Sequence, residues 1–157
     1  MLAIPATGQC QCGACHYRVE AAPFVAYTCH CRACQALSSS AFNTCLQAPA
    51  ESVRCSHGKP RSRDRTAASG NVLTTWFCGD CGSAMFAQNS ARPRIRTVYV
   101  GTLDERETVN VVAHIWTNAK LPWVVLPPGH RVYPGAGDWR QDYADDIDRY
   151  LPGTHGQ

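Results

Sequence analysis

Three thiols stand within six positions in Cys29-His30-Cys31-Arg32-Ala33-Cys34. Thiolate sulfur is a soft ligand, and Cys-x-Cys and Cys-x-x-Cys spacings suit a single tetrahedral ion such as zinc. A structural zinc site closes with four protein ligands. A catalytic site keeps three and leaves a position for water or substrate. The window therefore reads as an open zinc site. Two further pairs complete the clustered cysteines, Cys10 with Cys12 and Cys78 with Cys81. Together they supply one closed, structural four-cysteine site, leaving Cys29, Cys31 and Cys34 at the open one, so that two zinc ions are expected. A rival partition closes the window with His30, His114 or Cys15. His30 lies between two ligands, so its ring is expected to turn away from a shared metal. It then serves as a donor behind the ligands or as a contact to substrate. His114 is weighed as a substrate contact against the commoner role of a satisfied core histidine.

The remaining cysteines read more plainly. Cys15 fits the buried face of a strand as a small apolar filler. Cys45 and Cys55 have no neighbour at ligand spacing and read as packed thiols. Ten cysteines in 157 residues could also signal disulfides. Disulfide frameworks belong to small exported domains, however, and the start Met1-Leu2-Ala3-Ile4-Pro5-Ala6 has neither a basic region nor a long apolar core. A reducing, cytoplasmic compartment is expected. Nothing approaches the apolar run of about 20 residues that a membrane span needs.

The elements that must position these thiols follow from periodicity. The chain length suits one domain with a real core, and 45% hydrophobic against 17% charged residues marks it as globular. Cys15, Tyr17 and Val19 alternate with His16, Arg18 and Glu20, which is strand patterning. Phe24 to Tyr27 leads as a strand into the central window, and a short helix is expected from Arg32 to Ala36. Further strands are expected at Ala41–Leu46, Val72–Phe77, Ala84–Phe86, Ile95–Val100 and Val109–Trp116. Lys120–Leu126 reads as extended, and residues 1–7 as a loose terminus. Zinc-held β structure should thus occupy residues 1–135.

Charge is uneven. The formal net charge is +3, and the last segment from Asp138 is acidic, so the body before it is more basic. Residues 54–65 carry Arg54, His57, Lys59, Arg61, Arg63 and Arg65 against Asp64 alone. This run reads first as a solvated loop. Its functional reading is a rim in which Lys59 and Arg61 contact a carboxylate-bearing substrate. Such charge is too weak and too scattered to argue for nucleic acid. In residues 136–157, Asp138 can cap a helix, and Trp139, Tyr143, Ile147 and Tyr150 recur at helical spacing. A short acidic C-terminal helix is expected there.

These residues resemble a known family. Gly8-Gln9-Cys10-Gln11-Cys12-Gly13, Cys29-His30-Cys31-Arg32-Ala33-Cys34 and Phe77-Cys78-Gly79-Asp80-Cys81-Gly82-Ser83 are similar to the glutathione-dependent formaldehyde-activating enzymes, grouped with centromere protein V. Gly58-Lys59-Pro60, Gly101-Thr102-Leu103-Asp104, His114-Ile115-Trp116 and Lys120-Leu121-Pro122-Trp123 extend the likeness over about residues 8–134. The resemblance implies a mainly β fold of several coiled, mostly antiparallel sheets held by zinc. It also implies a structural role for Cys10, Cys12, Cys78 and Cys81, with the reactive zinc on Cys29, Cys31 and Cys34. The implied activity is carbon–sulfur lyase chemistry, joining formaldehyde to glutathione as S-hydroxymethylglutathione or the reverse. The loop that often reads Ser-Gly in this family is Ser38-Ser39 here, so Ser39 is a candidate substrate contact.

The expected partners are therefore a glutathione-like thiol and a small aldehyde, with no nucleic acid and no membrane. The oligomeric state is left open, a homodimer among the options. Two other functions compete: a zinc protein that binds or carries a thiol without turnover, and a purely structural zinc module.

Overall fold

The computed structural model describes residues 2–137. In chain order these form β1 (Ala6–Gln9), β2 (His16–Val19), β3 (Val25–Cys29), helix α1 (Arg32–Ser38), β4 (Asn43–Pro49) and β5 (Val53–His57). There follow β6 (Arg61–Thr66), β7 (Val72–Phe77), β8 (Ala84–Asn89), β9 (Ile95–Tyr99), β10 (Ala113–Ile115) and β11 (Arg131–Val132). The described residues are thus mainly β, with two sheets and one α-helix. No helix among them is long and apolar enough to cross a membrane. They fall into two compact units, residues 2–23 with 46–109, and residues 24–45 with 110–137.

In the first unit, β1, β2 and β5 form a three-stranded antiparallel sheet. The alternation read along β2 is met, with Cys15, Tyr17 and Val19 all buried. Register sets Gly8 of β1 opposite Tyr17. The tyrosine ring fills the space a side chain would need, since a Cβ on Gly8 would overlap it. Tyr17 also meets Phe86 edge-on at 5.8 Å and shares a hydrogen bond of 2.8 Å with the Thr102 hydroxyl. Met85, Phe86, Val98 and Leu103 complete this core, each worth about 1.5–3 kcal/mol on burial. Strands β6 to β9 are successive antiparallel neighbours. Arg96 on β9 lays its guanidinium over the Trp76 ring at 4.7 Å, which covers apolar surface with a cation.

The basic run at 54–65 is not a loop. It forms β5 and β6, turned at Gly58-Lys59-Pro60, and β6 is exposed along its whole length. A strand that buries neither face carries no apolar alternation to read, and its charges guard the edge against pairing with another chain. The terminus read as loose is ordered from Ala6, where β1 begins.

The second unit departs from the antiparallel expectation. Here β10 runs parallel to β3 on one side and to β11 on the other. The strand expected over Val109–Trp116 shrinks to three residues, and Lys120–Leu126 forms no strand; Val124 instead closes a turn onto the Leu121 carbonyl at 3.1 Å. Helix α1 begins and ends within two residues of the range expected. The acidic helix expected from Asp138 lies outside the described residues.

Candidate metal centres

All ten cysteines are free, and seven of them gather into two clusters. Cys10, Cys12, Cys78 and Cys81 lie in the first unit, and Cys29, Cys31 and Cys34 in the second. Within each cluster the sulfurs stand within 4.8 Å of one another.

The four-cysteine cluster is built from two knuckles of like design. Cys10 N–H bonds the Cys15 carbonyl at 2.9 Å, and Cys78 N–H bonds the Ser83 carbonyl at 2.9 Å. Inside each turn, Gly13 N–H returns to the Cys10 carbonyl, and Gly82 N–H to the Cys78 carbonyl. Both glycines take positive φ, +76° and +74°, a conformation that costs an L-residue with a side chain. That is the physical content of Cys-x-Cys-Gly and Cys-x-x-Cys-Gly. Two of the sulfur separations match the edge of a metal tetrahedron. Zn–S bonds of about 2.3 Å imply sulfur–sulfur edges near 3.8 Å; Cys10 to Cys12 is 3.6 Å and Cys12 to Cys78 is 3.8 Å. Hydrogen bonding polarises the cluster. The Ser83 hydroxyl, 3.2 Å away, and the Ser83 amide hold Cys81 down to about 5. At Cys12 the Ala14 amide lowers the thiol, but contacts to Cys10 and Cys81 outweigh it and leave it at about 12.

The three-cysteine cluster is local. Cys29 ends β3, Cys31 caps the N-terminus of α1, and Cys34 lies in its first turn. The Cys31 sulfur accepts the Cys34 backbone N–H at 3.4 Å. Hydrogen bonds from the Cys29 and Cys34 side chains, helped by backbone amides, hold Cys31 down to about 2. By the same contacts Cys29 is pushed up to about 12, its bond to Cys31 leading, and Cys34 is also pushed up. The Cys31 sulfur is thus the hydrogen-bond acceptor of the cluster. Gln35 ties the helix down, its side-chain amide donating to the carbonyls of His30 at 2.7 Å and Ala119 at 3.0 Å. The helix ends at Ser39, in the left-handed region at φ 50° and ψ 38°, whose N–H returns to the Gln35 carbonyl.

The other residues singled out by sequence fall as follows. His30 is fully buried, and His114 is 4% exposed. The Thr28 hydroxyl lies between them, 2.9 Å from His30 Nε2 and 2.6 Å from His114 Nδ1. His114 Nε2 in turn meets His130 Nδ1 at 3.0 Å, with the two rings stacked at 5.1 Å. Burial leads in lowering both His30 and His114, aided by Lys120 for His30 and by His130 and His30 for His114. Cys15 is buried beside the four-cysteine cluster, its N–H on the Cys10 sulfur at 3.2 Å. Ser39 is exposed. Lys59 and Arg61 are exposed in the first unit, where Arg61 packs over Gly79 of the four-cysteine knuckle, its Nε 2.8 Å from where a Cβ would stand. Thr28 and His130 escaped the sequence reading. Neither has a spacing signal; register alone pairs Thr28 with His114 and His114 with Val132.

The model of the glutathione-dependent formaldehyde-activating enzyme family matches residues 5–119, a span containing all seven clustered cysteines. No protein of curated function matches the chain. Among solved structures, a Rhodobacter sphaeroides protein determined by crystallography as a structural-genomics target is similar, at 24% identity and a TM-score of 0.53. The match covers 67% of this chain and 96% of that one. At that identity the likeness speaks for the fold.

Proposed function

Because the chain belongs to the glutathione-dependent formaldehyde-activating enzyme family, we propose that it is a zinc-dependent carbon–sulfur lyase. It joins a glutathione-like thiol to a small aldehyde such as formaldehyde, or cleaves the adduct. The observation that carries this reading is the unequal donor count, four sulfurs in one cluster and three in the other.

Zinc fits both donor sets. Every donor is a cysteine sulfur, and the 3.6 and 3.8 Å separations in the four-cysteine cluster are those of a tetrahedral thiolate site. Cys10, Cys12, Cys78 and Cys81 would hold a closed, structural ion, and Cys29, Cys31 and Cys34 an open one. Bound on three cysteines with a free position, zinc supplies acidity to a thiol, so that a nucleophilic thiolate exists at neutral pH.

The chain's own residues do the rest. Hydrogen bonds from the Cys29 and Cys34 side chains and from backbone amides lower the Cys31 thiol, which favours capture of a cation there. Gln35 holds the backbone between Cys29 and Cys31 rigid through the His30 carbonyl, keeping the sulfurs convergent. In the reaction the thiol S–H breaks, a C–S bond forms at the carbonyl carbon, and the carbonyl oxygen gains a proton. Holding both reactants in register supplies much of the acceleration. We assign Ser39, His114 and His30 to the substrate's surroundings, and Lys59 and Arg61 to the carboxylates of a glutathione-like thiol on charge grounds. Ten free thiols suit a reducing compartment, which we assign as the cytoplasm.

The test mixes zinc-loaded protein with glutathione and formaldehyde and follows the adduct. Formation well above the buffer rate is expected. Calorimetric binding of glutathione with no acceleration would replace the lyase by a thiol carrier.

A further inference from the structure

The second unit leaves apolar side chains uncovered beside the point where the described chain ends. We propose that residues 138–157 fold back on this unit as an amphipathic helix whose aromatic stripe covers Trp116, Trp123, Val125 and Val132.

Five large apolar side chains are exposed among the described residues, and these four belong to the second unit. Trp123 is 71% exposed and Val125 88%, while Val124 between them is buried. Val124 thus anchors the segment, and the side chains on either side of it turn outward. Trp116 takes φ 58° and ψ 37°, left-handed backbone that a bulky residue seldom adopts. It is held there by its N–H on the Gly135 carbonyl at 2.7 Å and by the Ala119 N–H on its own carbonyl at 3.0 Å. Val132 lies on β11, at the edge of its sheet. Exposed apolar groups gathered in one small unit mark a surface that something covers.

Position selects the occupant. Gly135, bonded to Trp116, stands two residues before Gly137, the last described residue, so the remaining 20 residues start beside Trp116. Gly137 packs closely on Tyr133, where a Cβ would lie 2.8 Å from the ring. The chain still follows the surface of the unit where 138–157 begin. A segment tethered this closely meets the face at an effective concentration in the millimolar range, ahead of a second copy at ordinary protein concentration.

The sequence of that segment supplies the complement. Asp138 suits an N-cap, and Trp139, Tyr143, Ile147 and Tyr150 fall on one side of a helix, a stripe about 17 Å long. Asp142 and Asp146 border the stripe at helical spacing. Residues 138–157 carry five acids against two bases, a formal −3. The described residues of the second unit carry Arg32, Lys120 and Arg131 and no acid, a formal +3. Apolar stripe and charge therefore match the same unit. Its segment around Trp116 is also joined to the three-cysteine site. On one side of Trp116 the Ile115 carbonyl accepts the His30 N–H at 3.0 Å, and on the other the Ala119 carbonyl accepts the Gln35 side-chain amide at 3.0 Å. A helix docked over Trp116 braces the segment that holds α1 in place.

The test is hydrogen–deuterium exchange, read by mass spectrometry on the full-length, zinc-loaded chain. Amides of residues 142–150 should exchange about tenfold or more slower than in an unstructured chain, equally at low and high protein concentration. Trp123→Ser combined with Val125→Ser, both at exposed side chains, should abolish that protection while β7 and β8 stay protected. Ile147→Asp should abolish it from the other side of the contact, and Ile147→Leu should keep it. Free exchange of 142–150 in wild type overturns the proposal, as does protection that survives the double variant. Protection that disappears on dilution, with sedimentation passing from dimer to monomer, places the stripe against a second copy and overturns it too. Should the double variant fail to fold, the Ile147 pair decides: equal protection in Ile147→Asp and Ile147→Leu overturns the docking.

Discussion

At the scale of single residues, Ser39 has a measurable consequence. It ends α1 in the left-handed region, at φ 50°. An L-residue with a side chain pays roughly 1–2 kcal/mol there, and glycine avoids this while losing about 0.5–1 kcal/mol of chain entropy. Ser39→Gly should therefore stabilise the protein by about 0.5–1 kcal/mol, read as a higher denaturant midpoint with zinc held constant. The sequence comparison marked this position by the Ser-Gly resemblance. Its backbone angle supplies the reason glycine is favoured. Ligand cysteines were legible for a similar reason: closely spaced donors sharing one ion must be close in sequence or in matched pairs, so their chemistry is written in the spacing. Thr28 and His130 carry no such mark.

At the scale of elements, the parallel insertion of β10 between β3 and β11 commits His114 to a buried, uncharged state. Its depressed pKa means that the unfolded chain binds the proton more tightly than the folded one. Stability from this group is full above an unfolded value of about 6.5 and is lost as pH falls from there through the lowered folded value. The expected outcome is a stability loss beginning just below that pH. His114→Asn, which keeps a hydrogen-bonding side chain without titrating, should flatten this part of the profile at constant zinc. An unaltered acid limb in the variant would assign the loss to other groups. Alternation makes β2 readable, but β1, whose burial alternates as well, reads as a loose terminus because it is short and lies at the chain's start. β6, exposed throughout, offers no apolar pattern, and the stretch around β10 is overdrawn because its neighbours in space are distant in sequence.

At the scale of the whole molecule, the two clusters differ in what they hold together. An ion on Cys10, Cys12, Cys78 and Cys81 joins segments 66 positions apart, counted from Cys12 to Cys78. An ion on Cys29, Cys31 and Cys34 joins residues already adjacent along β3 and α1. Closing the long loop removes far more freedom from the unfolded chain. Zinc at such a site also contributes roughly 10 kcal/mol or more of apparent binding energy to folding. Cys31→Ala should thus lower zinc content from about two ions to about one with the fold retained, measured by metal analysis alongside circular dichroism. Cys81→Ala should yield unfolded or insoluble protein, as should exhaustive chelation of the wild type, reversed by zinc. Equal effects of the two substitutions on folding would contradict this division of roles.

By itself the sequence determined the donor chemistry, the grouping of seven cysteines as four and three, the mainly β character and the strand alternation around Tyr17. These are local properties, set by spacing and periodicity over a few residues. Tertiary structure decided which side chains stand behind the donors. The row from His30 to His130 exists because parallel strand pairing aligns positions 28, 114 and 132, and no window along the chain contains that register. It also decided that the basic run at 54–65 would be strands rather than loop, since an edge that buries neither face is specified by its neighbour β7 and not by its own pattern.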